Sequence, residues 1–288
     1  MIIYKNTFEN IKTLDCDFPV EDSYYANDCF AIVADGITRD PVGVLDLYSV
    51  SFEEAKRLYP RPSGGELAAQ ELTNFAMKYI KRIDMQDDIE QAMCDLLIEG
   101  NRSIKELNDR FVPECDYLQN DYYGTVGACA SIVANQLYYS YICDCGIIVY
   151  DKDGNIKFQT EDDKAVYSDS YIDEIGIPWN LPEARVIVRR DYRNNIYNIQ
   201  DNQCVSYGAL TGEKDAVSFI RSGFINVDST DTIVVYGDGF TNLLHLPDFI
   251  NLVAHFDCDT FEQYVEKISN TDYERYGKEK TLVIMKSC

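Results

Sequence analysis

The chain has 288 residues, of which 26 are Lys or Arg and 49 are Asp or Glu, so its formal net charge is −23. This length fits one large domain, and no linker rich in Pro, Gly and Ser divides it, so we expect residues 1–288 to form a single domain. The excess negative charge excludes nucleic acids and anionic membranes as expected partners. No basic segment followed by an apolar run opens the chain, and no later segment is apolar enough to span a bilayer. These features predict a soluble, cytoplasmic protein.

Two predicted strands, one near each end of the chain, finish in Asp-Gly. The segment Phe30–Gly36 is apolar up to its last two residues, Asp35-Gly36, and the segment Thr232–Gly239 ends in the same pair. A buried strand that ends in this way exposes one carboxylate at the sheet edge, and the glycine lets the backbone turn. Together with Glu21-Asp22, the two pairs predict a site of oxygen ligands, which Mg²⁺ and Mn²⁺ prefer.

Two helices are predicted after the first of these strands. Apolar residues recur at helical spacing from Gly64 to Arg82, and again from about Asp88 to Arg110, with Gly100 as a weak point in the second helix. We expect the pair to pack antiparallel on a sheet. The preceding segment, 37–65, is predicted to be an insertion beside the site, either a surface excursion or a lid or docking element.

The periodicity then changes to that of strands. Four strands are predicted at 124–134, 136–143, 146–150 and 155–158, with a hairpin turn at Asp151–Gly154. A looped stretch through residue 195, a helix near Glu213 to Ser222 and the second Asp-Gly strand follow. Because strands and helices are grouped rather than alternating, we expect an α+β layered fold and not a Rossmann-like one.

These motifs, in this order, resemble those of the metal-dependent Ser/Thr protein phosphatases of type 2C. The resemblance covers nearly the whole chain, and the matching runs are Glu21-Asp22-Ser23, Phe30–Gly36, Gly124-Thr125-Val126, Ser140–Asp144, Asp231–Gly239 and Glu279–Met285. It implies a four-layer α-β-β-α sandwich with two central antiparallel sheets. It also implies hydrolysis of phosphoserine and phosphothreonine in phosphoprotein substrates by direct attack of a metal-bound water.

The resemblance assigns roles to particular residues, with Mg or Mn as cofactor. Two ions are implied, and a third, weaker one in some relatives. Asp35 is expected to bridge the two ions, Asp22 to orient water, and Asp144 and Asn242 to serve the third ion. In full, the resemblance gives catalytic roles to Asp22, Asp35 and Asp238, and metal ligation to Glu21, Asp35, the Gly36 carbonyl, Asp238, Asp144 and Glu279.

Two departures from the family pattern change the expected site. The family has an Asp ligand three residues before the Thr of its last strand, and this chain has Lys278 there, which cannot ligate a metal while protonated. Its neighbour Glu279 could reach the ion, or the ion could have one ligand fewer. The basic residue that grips phosphate in many relatives is replaced by Asp17. We therefore expect Arg39 or Arg193 to bind the substrate phosphate instead.

Two other functions are compatible with these departures. The missing phosphate-binding residue is compatible with a hydrolase of the same fold that acts on a small phosphate ester. The lysine at position 278 is compatible with a catalytically inactive module that binds partners. The joint presence of the acidic residues Glu21, Asp22, Asp35, Asp144 and Asp238 favours catalysis.

Overall fold

The computed structural model describes residues 1–9, 20–37, 57, 59–83, 88–163, 166–178 and 181–286. Its strands are β1 (Ile2–Phe8), β2 (Ser23–Ala26), β3 (Phe30–Gly36), β4 (Thr125–Val133), β5 (Gln136–Ile142), β6 (Gly146–Tyr150), β7 (Ile156–Gln159), β8 (Ile199–Gln200), β9 (Gln203–Cys204), β10 (Arg221–Asn226), β11 (Thr232–Tyr236) and β12 (Lys280–Lys286). Its α-helices are α1 (Gly64–Tyr79), α2 (Ile89–Phe111), α3 (Val166–Ile175), α4 (Pro182–Val186), α5 (Pro247–Ala254), α6 (Cys258–Thr271) and α7 (Tyr273–Tyr276).

Two five-stranded antiparallel sheets form the centre of the molecule. Sheet I has the strand order β1-β12-β11-β6-β7, and sheet II has the order β10-β5-β4-β3-β2. Strands β3 and β4 of sheet II pack against β6, β11 and β12 of sheet I. Helices α1 and α2 cover the outer face of sheet II, and α5 and α6 cover sheet I. The predicted four-layer α-β-β-α sandwich is therefore confirmed.

Strand β11 shows why the central strands are apolar throughout. Ile233 and Val235 lie in the core between the two sheets, whereas Val234 and Tyr236 lie in a second core beneath α5 and α6. A strand that is buried on both faces needs apolar residues at every position, because successive side chains point to opposite faces. The unbroken apolar run before Gly237 is thus a consequence of its place inside the sandwich.

Helices α1 and α2 match the predicted helical spans closely. The Ser63 side chain accepts a hydrogen bond from the Glu66 backbone N–H at 3.0 Å and so caps α1. Asp88 caps α2 in the same way. Gly100, which the sequence marks as a weak point, has a packing role: a Cβ atom there would lie 2.5 Å from Cδ1 of Leu72 on α1. The glycine lets the two helices approach each other.

Two segments differ from the sequence-based prediction. The helix expected near Glu213 to Ser222 is a short helical turn, Lys214–Phe219, and β10 already begins at Arg221. Strand pairing overrides the local helical pattern here, because Ser222 pairs with Ser140 of β5. The stretch before residue 195, expected to be a loop, contains helices α3 and α4. Helix α3 has only two buried residues, so the sequence shows only a weak apolar periodicity there and does not predict the helix.

The predicted insertion at 37–65 lies mostly outside the described residues, and the single-domain arrangement stays a prediction. Within the described ranges, the structure contains no helix with the length and apolarity needed to cross a membrane.

Leu72 offers a test of the packing between α1, α2 and sheet II. Its side chain is fully buried and approaches both Gly100 and Gly127. We expect Leu72→Ala to lower the free energy of unfolding by about 3 kcal/mol, because the backbone around two glycines cannot collapse into the cavity. Urea denaturation measures this change. Leu118→Ala, at a position that is 52% exposed, is the control, and an equal loss in both variants would contradict the packing described.

Candidate active site

The candidate site lies where a strand of each sheet ends. Strand β3 of sheet II ends at Asp35-Gly36, and β11 of sheet I leads through Gly237 to Asp238. A Cβ atom on Gly237 would lie 3.6 Å from Oδ2 of Asp22 and 3.8 Å from Oδ2 of Asp35. Two carboxylates therefore converge beside the end of β11.

Hydrogen bonds hold the end of β3 in place. The Gly36 backbone N–H donates to the Glu21 carbonyl at 3.1 Å, and the Thr125 hydroxyl donates to the Asp35 carbonyl at 2.6 Å. A Cβ atom on Gly36 would lie 2.6 Å from backbone atoms of both Glu21 and Gly65. Only glycine fits such a close approach of three backbone segments. The Asp-Gly pair thus joins β3 to the segment that carries Glu21 and Asp22.

Glu21 connects the site to helix α1. Its side chain is buried, and its Oε1 atom accepts hydrogen bonds from the Tyr59 hydroxyl, at 2.8 Å, and from the Ser63 hydroxyl. Neither Tyr59 nor Ser63 belongs to a motif that the sequence marks as part of the site. Ser63 carries a usable signal, since Ser63-Gly-Gly-Glu66 is the pattern of a capping box that begins a helix. Tyr59 carries no comparable local signal.

Burial and mutual repulsion raise the pKa values of the clustered carboxyl groups. Burial raises the pKa of Asp35 well above its ordinary value, and the negative charges of Asp22, Asp238 and Asp144 raise it further. The pKa of Asp22 is raised to about 7 by burial and then by the charge of Asp238. The pKa of Asp144 is raised to about 6, again by burial first and by Asp238 second. These carboxylates therefore form one electrostatic unit.

The side chains fit a hard divalent cation in their chemistry. No three His, Cys, Asp or Glu side chains in the described part of the chain are arranged closely enough to enclose an ion by themselves. Magnesium, however, commonly keeps several waters and uses only one or two carboxylates. Oδ2 of Asp22 is buried and accepts no hydrogen bond from a described residue. An unpartnered carboxylate oxygen within a crowded negative cluster is the environment that a Mg²⁺ or Mn²⁺ ion stabilises.

The segment before β12 contributes Lys278 and Glu279. Oε1 of Glu279 accepts a hydrogen bond from the Asp22 backbone N–H at 2.6 Å, and the pKa of Glu279 is raised to about 8 by burial and by the charge of Asp22. The Lys278 Nζ atom lies 3.5 Å from Oδ2 of Asp238. The structure thus brings Glu279 to the site, beside Asp22, and its role as a metal ligand stays a prediction.

The structure describes only one of the two arginines that are expected to bind phosphate. Arg39 lies outside the described residues. The guanidinium of Arg193 is 1% exposed and donates to Asp121 at 2.9 Å, and it lies over the Tyr117 ring at 5.5 Å. Arg189 also pairs with Asp121, at 2.7 Å. Buried charges of this kind are held by their partners, so the structure does not offer the Arg193 guanidinium to a ligand in solution.

Asn242, which corresponds to a third-ion position in the family pattern, does not join the carboxylates through its amide. Its side chain is exposed and donates to the Arg275 carbonyl at 3.1 Å.

Comparison with known proteins identifies the fold. No family model matches the chain, and no curated protein sequence matches it. Among solved structures, the serine/threonine phosphatase of S. agalactiae aligns over 98% of both chains at 18% identity, with a TM-score of 0.59. The catalytic domain of the phosphatase PstP, in complex with two manganese ions, aligns over 98% of this chain and 95% of its own at 17% identity, with a TM-score of 0.59. RsbX in complex with magnesium aligns over 97% of this chain and 92% of its own at 11% identity, with a TM-score of 0.51.

These likenesses confirm, at the level of the fold, the resemblance predicted from the motifs. The chain has the fold of the type 2C Ser/Thr phosphatases, and the similarity extends over nearly its full length. The carboxylates of the motifs lie at the sheet edge where the two central strands end.

The raised pKa of Asp22 predicts a pH-dependent stability of the metal-free chain. Its value of about 7 lies above the ordinary 3.8, so the folded state binds more protons than the unfolded state between these pH values. The free energy of unfolding should therefore fall as pH rises from 4 to 7, with an Asp22 contribution of about 3 kcal/mol. Urea denaturation with a chelator at several pH values measures the slope.

Asp22→Asn should flatten this slope, whereas Asp153→Asn, at an exposed carboxylate in the β6–β7 turn, should leave it unchanged. An identical pH dependence in the wild type and Asp22→Asn would contradict the electrostatic coupling.

Proposed function

We propose that this protein is a metal-dependent phosphatase that hydrolyses phosphoserine and phosphothreonine in protein substrates. The observation that carries the proposal is the convergence of the Asp22 and Asp35 carboxylates beside Gly237, with one Asp22 oxygen unpartnered among the described residues. The cluster occurs in a chain with the fold of Ser/Thr phosphatases. Fold alone does not define chemistry, so the carboxylate cluster is the main support.

In the proposed reaction, residues of the chain position the ion and the attacking water. Water attacks phosphorus, the bond from phosphorus to the ester oxygen breaks, and inorganic phosphate and the Ser or Thr hydroxyl are released. A divalent ion, when bound, neutralises the phosphoryl charge and lowers the pKa of water. Asp35 and Asp238, one from each sheet, would hold the ion. Oδ2 of Asp22 orients the attacking water and accepts a hydrogen bond from it. Glu279 fixes the Asp22 backbone through the hydrogen bond at 2.6 Å.

The proposed cofactor is Mg²⁺ or Mn²⁺, and the donor set is made of oxygens. The proposed ligands, in full, are Glu21, Asp35, the Gly36 carbonyl, Asp238 and Glu279, with Asp144 at a weaker third position. The solved structures support this choice of ion, because PstP contains two manganese ions and RsbX contains magnesium. Hard ions of this type suit carboxylate and carbonyl oxygens.

A positive side chain is needed to bind the phosphoryl group of the substrate. The buried pairing of Arg193 with Asp121 leaves Arg39 as the stronger of the two candidates. It follows Asp35 by four residues and so lies close to the cluster along the chain. A guanidinium suits a phosphate because it can donate two parallel hydrogen bonds.

Asp35→Asn is the first test of the function. We expect wild-type protein with Mn²⁺ to hydrolyse both an aryl phosphate and a phosphothreonine peptide, and a chelator to abolish the activity. The substitution should lower kcat/KM by at least about a hundredfold, because it removes a charge that binds the ion. Asp153→Asn is the matched exposed control. Metal-independent hydrolysis, or full activity in Asp35→Asn, would refute the proposal, and the ratio of peptide to aryl hydrolysis tests the protein substrate.

Arg39→Ala tests the phosphate contact separately. Loss of one charge-assisted contact should raise KM for the phosphothreonine peptide by about tenfold. Steady-state kinetics at saturating Mn²⁺ measure this change, with Arg102→Ala on the exposed face of α2 as the control. Unchanged KM and kcat would exclude Arg39 from phosphate binding.

A further inference from the structure

Lys278 places a positive charge directly at the candidate site. Its Nζ atom lies 3.5 Å from Oδ2 of Asp238, and the side chains are 62% and 34% exposed respectively. Asp238 is the carboxylate that sheet I contributes to the cluster. The contact therefore places a positive group of the chain itself beside a carboxylate that an ion would otherwise neutralise.

The next two residues of this segment have partners other than Asp238. Glu279, the next residue, uses Oε1 to accept the Asp22 backbone N–H at 2.6 Å. Lys280 follows with a side chain that is 1% exposed and donates to the Ser269 hydroxyl at 3.2 Å. Of these three residues, Lys278 is thus the one that brings a cation to Asp238, while Oδ2 of Asp22 has no hydrogen-bond partner among the described residues.

We propose that the Lys278 ammonium is a fixed cation of the site, which takes the charge-neutralising place of one divalent ion at Asp238 and leaves a single tightly bound ion near Asp22 and Asp35. This inference rests on the proposed metal-dependent function and specifies how many ions that function uses. A divalent ion that approaches Asp238 must either displace the ammonium or lie close to it. Both add an unfavourable charge interaction, since like charges within a few ångströms repel even in a solvated setting.

The test is the stoichiometry of Mn²⁺ binding, measured by the loss of the free Mn²⁺ paramagnetic resonance signal during titration. The wild type should bind one ion tightly, with any second ion at least about tenfold weaker. Lys278→Met removes the charge and should tighten the second ion by about tenfold. Lys278→Asp replaces it by an oxygen ligand and should give two ions of similar affinity. The exposure of Lys278 makes it a tolerant position, and circular dichroism verifies that each variant is folded.

Lys152→Met is the control, since Lys152 has similar exposure and also pairs with a carboxylate, Asp153, in the β6–β7 turn at the opposite end of β6 from Asp144. Two equivalent ions in the wild type, or a second-ion affinity that neither Lys278 substitution alters, would overturn the inference. Activity separates it from the proposed function. Metal-dependent hydrolysis with two equivalent ions leaves the phosphatase proposal standing and rejects only the role of Lys278, whereas no Mn²⁺ binding and no hydrolysis in any variant would reject both.

Discussion

Repulsion between carboxylates at the edge where the two sheets meet is the constraint on which the rest of the site depends. Strands β3 and β11 each deliver an aspartate to this edge, and burial prevents water from screening the charges. Three features of the folded chain reflect this repulsion. The pKa values of Asp22 and Asp35 are raised, Lys278 contacts Asp238, and one Asp22 oxygen has no hydrogen-bond partner among the described residues. The arrangement of the site thus depends on how these negative charges are balanced.

Much of this arrangement could be predicted from the sequence, because its signals are local. An apolar run that ends in Asp-Gly identifies both strand ends, and helical spacing identifies α1 and α2 to within about a residue at their starts. The order of six short motifs then predicted the sandwich. The helix expected near Glu213 failed for the opposite reason: pairing of Ser222 with Ser140 of β5 depends on residues far away in the chain.

The features that could not be predicted are those in which partners are distant in sequence. Arg193 looked available for phosphate, but Asp121, 72 residues earlier, holds its guanidinium in the interior. The contacts of Glu279 with Asp22 and of Lys278 with Asp238 likewise depend on how the segment before β12 meets the other strands. A sequence shows that a lysine has replaced an acid, but it does not show which carboxylate the lysine will contact.

The Ser63 hydroxyl has two roles at once, since it donates to Glu21 and accepts the Glu66 N–H that begins α1. Fraying of the first turn of this helix would therefore release a buried carboxylate, and anything that draws Glu21 away would remove the cap. The free energies of the two events are linked, so an ion that is held in part by Glu21 would slow amide hydrogen exchange at residues 64–67. In this way a helix on the outer layer would report on the occupancy of a site at the sheet edge.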